Sequence, residues 1–160
     1  MQELRVVGVR VELPGNQPIL LLKETQGERY LPIWIGAVEA AAIAFEQQGV
    51  RPARPMTHDL LRNVIHDLKA EVEKIVVSDL QENTFYALIY LALNGGTVAI
   101  DARPSDAIAL ALRTRAPIFV EDTVIDNAKT VDTSSEKADA DRLHKWLESI
   151  DPDDLGKYKM

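Results

Sequence analysis

No cysteine occurs among the 160 residues. Disulfides and thiolate metal sites are therefore unavailable, and nothing in the composition points to an oxidising compartment. Also missing is any apolar run near the ~20 residues that a bilayer-crossing helix needs, so no membrane partner is expected. The opening Met1-Gln2-Glu3-Leu4-Arg5 runs straight into strand-like alternation without a signal-peptide layout, and the expected compartment is the cytoplasm. No Walker motif, dinucleotide fingerprint or nucleophile elbow is present. Basic charge is scarce: 18 Lys and Arg face 25 Asp and Glu, for a net charge of −7. That balance weighs against broad non-specific affinity for nucleic acid, which depends on neutralising phosphates. Much of the acid lies after Asp122, however, which leaves room for a local basic site. The remaining composition, 46% apolar and 27% charged, is that of one ordinary globular domain with a real core.

What the chain does contain is a copy of itself. A shift of 67 positions lays Glu39-Ala40-Ala41-Ala42-Ile43-Ala44-Phe45 on Asp106-Ala107-Ile108-Ala109-Leu110-Ala111-Leu112. The same shift places Glu12-Leu13 on Asp79-Leu80, Asn16 on Asn83 and Ile33 on Ile100. Such self-similarity is sought before single elements because it governs the whole fold. The expected class is α+β: internally duplicated β-β-β-α units with an inserted amphipathic helix, in mixed or antiparallel sheets packed with helices.

The elements follow from periodicity. Val7, Val9 and Val11 alternate with Gly8, Arg10 and Glu12 in a strand over Leu4–Leu13, and Pro14-Gly15-Asn16 is turn chemistry. Ile19–Glu24 and Arg29–Ile35 form a hairpin about Gln26-Gly27. An alanine-rich helix over Ala37–Gln47 ends at Gly49. The second copy gives strands Val72–Asp79, Phe85–Leu93 and Thr97–Asp101 with a Gly95-Gly96 turn, a helix over Ser105–Thr114, and a last strand Ile118–Val120. We expect a domain over 1–125, with repeats at about 4–50 and 71–121. Between them a helix at about 55–70 has no counterpart. Leu60, Leu61, Val64, Ile65 and Leu68 form its expected buried stripe, and Asp59, Arg62, Asn63 and His66 its polar side. Residues 126–160 read as an acidic linker and a short amphipathic helix carrying Leu143, Trp146, Leu147 and Ile150.

Two stretches share a grammar at helix starts: Arg54-Pro55-Met56-Thr57-His58-Asp59 and Arg103-Pro104-Ser105-Asp106. Ordinary capping accounts for much of it, since Thr57 and Ser105 are favoured N-caps, proline suits helix entry and aspartate complements the dipole. Capping does not require the arginines. A helix start is already a phosphate site, and Arg54 and Arg103 add forked donors suited to phosphate oxygens, with Thr57 and Ser105 as further donors. Asp59, Asp101 and Asp106 are candidate ligands for a hard divalent cation, Mg²⁺ or Mn²⁺. His58 suits proton transfer near neutral pH, with Asp59 and Asp106 beside it in the catalytic set. These are the parts that phosphodiester hydrolysis uses, although the spacing alone is not diagnostic.

Other candidates carry less. His66 lies about 12 Å beyond His58 along one helix, too far for a shared metal. His144 reads as a solvated residue of the terminal helix. Glu39 aligns with Asp106, although an acid at a helix start explains it. Trp34 is a candidate for base stacking if it is exposed, and for core or interface packing if it is not.

At these residues the chain resembles the bifunctional nuclease family, small domains long grouped only as a domain of unknown function. The resemblance spans about Leu4 to Asp122. It rests on Leu31-Pro32-Ile33-Trp34-Ile35-Gly36 with Glu39-Ala40, on Arg54-Pro55-Met56-Thr57-His58-Asp59-Leu60, on Thr84-Phe85-Tyr86-Ala87, and on Asp101-Ala102-Arg103-Pro104-Ser105-Asp106-Ala107. It implies an α+β domain that self-associates as a homodimer or higher oligomer, and for some members a nuclease acting on both RNA and DNA. The candidate residues occupy the family's most recognisable motifs. The acidic tail departs from what the plant relatives carry.

Three functions are in view. The first is a low-specificity nuclease assisted by a divalent metal. The second is a non-catalytic oligomeric binding protein that holds an anionic ligand at its helix N-termini. The third is a regulatory scaffold acting through the Trp146 helix.

Overall fold

The computed structural model describes residues 1–11 and 17–132, the side chains of 131 and 132 excepted. Strands β1 (Gln2–Val11), β2 (Pro18–Glu24) and β3 (Arg29–Trp34) form an antiparallel meander, and helix α1 (Ala37–Gln47) follows. After α2 (Thr57–Asp67), a second meander runs through β4 (Glu71–Gln81), β5 (Thr84–Leu93) and β6 (Gly96–Ala102) into α3 (Pro104–Thr114). The chain continues through β7 (Ile118–Val120), α4 (Asp122–Asn127) and a two-residue β8 (Val131–Asp132). The fold is therefore α+β, and the element order contains β-β-β-α twice.

All strands join one mixed sheet in the order β6-β5-β4-β7-β1-β2-β3, with β8 bridging onto β3. Short β7 lies at the junction, parallel to β4 and antiparallel to β1, so it ties the two meanders together. The alternation seen in the sequence sets the faces. Leu20, Leu22, Leu31, Ile33, Ile75, Val77, Ala87 and Ile89 point into a core shared with Ile43 of α1 and Ala107–Ala111 of α3. Matched alanines let α1 and α3 pack closely against each other and the sheet, as small residues permit. Both meander turns in the second half are two-residue loops with positive φ at both positions: Glu82-Asn83 and Asn94-Gly95. That geometry matches the strand twist.

Two expectations change, and the alternatives for Trp34 are decided for packing. The helix α2 buries a different face from the one its apolar residues suggest. Leu60, Val64 and Leu68 are exposed (56%, 46% and 67%), whereas Leu61 and Ile65 pack against the core and His58 is the buried residue of the helix. The inward row is thus 58, 61, 65, and a polar side chain helps to fix the rotation. Trp34 is buried, which removes it as a stacking platform. The polar stretch expected from 126 begins inside α4, whose Val124 and Ile125 enter the core. Arg29 fastens this helix to the β2–β3 hairpin, donating to buried Glu24 at 2.8 Å and to Asp126 at 2.8 Å. The expected terminal helix, including His144 and Trp146, lies outside the described residues. No helix among the described residues is long and apolar enough to cross a membrane.

Candidate functional site

Helices α2 and α3 begin beside one another. Extended Met56 delivers the chain to α2, and Asp59 in its first turn accepts the Met56 N–H at 3.0 Å. Arg103 caps the start of α3 with Pro104 in the first turn, where its missing N–H costs nothing. Thr57 and Ser105 therefore lie one or two residues inside their helices and cap neither. Ser105 is fully buried, and its hydroxyl has no partner among the described residues. Burial takes Ser105 out of reach of a phosphate at the surface, contrary to expectation, while Thr57 is exposed.

From these starts a chain of charge-assisted bonds links three helices. His58 Nε2 lies 2.8 Å from Asp106 Oδ1. Arg103 Nε donates to Asp106 Oδ2 at 2.7 Å, and its Nη2 donates to Glu39 Oε1 at 2.8 Å. The two acids aligned by the 67-residue shift thus hold one guanidinium. Deeper in, Arg113 donates to Asp59 at 2.7 Å, to the Ala109 carbonyl at 2.9 Å and to the Ala42 carbonyl at 3.0 Å. Arg113 escaped sequence reasoning because a cation in the last turn of a helix is ordinary dipole chemistry. Glu39 had a usable signal, namely its register with Asp106.

The electrostatics are those of satisfied pairs. Burial by itself raises the Asp106 carboxyl, but the hydrogen bonds from His58 and Arg103 outweigh it and hold the group below its ordinary 3.8. Asp59 behaves alike: burial pushes it up, while Arg113 and the Met56 N–H bring it below 3.8. The hydrogen bond to Asp106 leads in raising Arg103. Asp106 is consequently an anion at neutral pH and can only accept, so Nε2 of His58 must carry a proton. Nδ1 is then the basic nitrogen of the neutral ring.

The three proposed metal ligands do not converge. Asp59 belongs to Arg113, Asp106 to His58 and Arg103, and Asp101 stands exposed on β6. No group of three or more His, Asp or Glu side chains suited to a metal occurs among the described residues. The donor set therefore does not fit a shared Mg²⁺ or Mn²⁺, because arginines already occupy Asp59 and Asp106 and Asp101 stands apart from both.

Two arginines stand outside this cluster. Arg51 and Arg54 are exposed and in no ion pair among the described residues. Glu46, Arg51, Pro55, Asp59 and Arg62 line a hollow of about 280 Å³. A second hollow of about 420 Å³, at the far end of α2, touches Arg62, Asn63, His66 and Thr114.

The sequence model described as the bifunctional nuclease domain matches residues 20–133, which contain the whole cluster. The chain belongs to the bifunctional nuclease domain family. A protein of Mycobacterium tuberculosis described as uncharacterized is 49% identical over 97% of this chain and 98% of its own length. Bifunctional nuclease 1 of Oryza sativa subsp. indica is 26% identical over 72% of this chain and 36% of its own. Bifunctional nuclease 2 of Arabidopsis thaliana is 29% identical over 68% of this chain and 35% of its own. This bifunctional nuclease domain thus spans about a third of the plant relatives that carry the nuclease name.

Proposed function

We propose that this domain hydrolyses phosphodiester bonds in RNA and DNA with little sequence preference. The observation that carries the reading is the His58–Asp106–Arg103 chain, set between two helix starts. Asp106, fixed by Arg103, holds the His58 ring with Nδ1 free to act. Nδ1 takes a proton from a water as its oxygen attacks phosphorus; the bond to the leaving sugar oxygen breaks, and that oxygen takes up a proton from a solvent water. Arg54 and Arg51 bind the phosphate and offset its charge. Because the carboxylates do not fit a common cation, no step passes through a metal. The proposed setting is a cytoplasmic homo-oligomer.

A second reading has its own support. The His58 side chain is only 9% exposed, and each charge within the cluster already has a partner. The same bonds would then serve as a clamp joining α1, α2 and α3, with Arg51 and Arg54 holding an anionic ligand without turnover.

End-labelled single-stranded RNA and DNA, incubated with the purified chain, separate the two. Under the nuclease reading both are cut, and His58→Gln lowers the rate ~100-fold or more, as loss of a general base does, at an unchanged melting temperature. Cutting that survives His58→Gln sinks the assignment. Stabilisation by nucleotides without cutting supports the binding reading.

A further inference from the structure

Among the described residues, β6 is an unguarded sheet edge. At the opposite end of the sheet, β3 is bridged by Val131 and Asp132 of β8. Nothing among the described residues pairs with the outer side of β6, and Gly96 through Asp101 are all exposed. Natural edges are usually blunted by lysine, proline, a bulge or a short length. Gly96-Thr97-Val98-Ala99-Ile100-Asp101-Ala102 has neither lysine nor proline, and its register with β5 is continuous over seven pairs.

The face of this strand is also unfinished. Val98 sits opposite Leu91 and Ile100 opposite Ile89. Leu91 and Ile89 are core residues, 8% and 6% exposed, while Val98 and Ile100 are 44% and 42% exposed. The core face therefore continues past the helices onto bare aliphatic side chains.

The hairpin fixes which backbone groups are free. Leu93 and Gly96 close the two-residue Asn94-Gly95 loop, and in such a loop the closing pair exchanges both hydrogen bonds. By alternation Val98 and Ile100 bond inward to β5, and the N–H and C=O groups of Thr97, Ala99 and Asp101 point outward.

We propose that β6 pairs antiparallel with β6 of a second copy of this chain, about a two-fold axis through Ala99. The strand is self-complementary in that register. Ala99 meets Ala99, Thr97 meets Asp101, and all three outward-facing residues of each copy find backbone partners. Val98 meets Ile100 on the core side, so four aliphatic side chains close over the junction. Asp101 is the one charge on the strand and faces Thr97, so the pairing sets no like charges opposite each other. A strand from another protein would need to match this pattern; a second copy already does.

The absence of cysteine makes the register directly testable. In Ala99→Cys the paired Cα atoms would lie about 5.5 Å apart, within disulfide reach. In Thr97→Cys the two sulfurs would belong to positions about 13 Å apart along the strands. Mild oxidation of each full-length variant, read on a non-reducing gel, should trap a covalent dimer from Ala99→Cys and leave Thr97→Cys monomeric. Light scattering should give the wild-type chain twice its 17.8 kDa and give Ile100→Lys a single chain with an unchanged melting temperature. Cross-linking of Thr97→Cys as fast as Ala99→Cys, or a wild-type monomer at tens of micromolar, overturns the pairing.

Discussion

Arg113 donates to Asp59 at 2.7 Å from a side chain only 3% exposed, and the same guanidinium reaches the Ala42 carbonyl on α1. One arginine near the end of α3 therefore holds the beginning of α2. Arg113→Met should remove about 3 kcal/mol of stability, because it strands a half-buried carboxylate and a carbonyl. Urea unfolding checks this. A loss under about 1 kcal/mol would put the pair in the class of surface bridges that contribute little.

Acid should weaken the same joint. Asp59 and Asp106 ionise below 3.8 in the folded chain and near 3.8 when unfolded. Between those values the unfolded state binds more protons, so stability rises with pH there. Their contribution is fully present above about pH 5 and disappears as pH falls through the folded values. Melting temperature measured from neutral to acid pH should drop below that point, and Asp106→Asn should flatten the drop. An unaltered profile in Asp106→Asn would show that another group governs acid sensitivity.

Arg54 is exposed and unpaired among the described residues, so its replacement should affect binding without touching the fold. Arg54→Ala is expected to weaken single-stranded nucleic acid binding and to reduce the salt slope by about one counterion. Fluorescence anisotropy at several ionic strengths reads both. An unchanged slope would place the phosphate elsewhere.

The face of α2 gives a structural prediction. Leu68→Lys should change stability by less than about 0.5 kcal/mol, as exposed substitutions do, since Leu68 is 67% exposed. Ile65→Ala should cost about 2 kcal/mol, because Ile65 packs on the core. The reverse order would restore the stripe that the apolar pattern by itself suggests.

That last contrast shows where sequence reading stopped. The apolar residues of α2 are spread over 60, 61, 64, 65 and 68, wide enough to permit several rotations about the helix axis. The contacts of His58 with Asp106 and of Asp59 with Arg113 select one of them. Likewise Thr57 and Ser105 are good caps by residue type, but the chain enters each helix one or two residues earlier. Asp59 looked like a metal ligand because nothing local reveals that Arg113 arrives from another helix to neutralise it, and Asp106 because Arg103, three residues away, could equally have turned outward.

Local chemistry alone determined the two β-β-β-α runs, their turns and the helix starts, since alternation, proline, glycine and asparagine act on near neighbours. The family motifs were equally legible. The tertiary fold decided which acids share an arginine, which face of α2 turns inward and which strand is left at the edge. Those outcomes depend on groups far apart in the chain competing for the same partner, and no window of sequence contains both competitors.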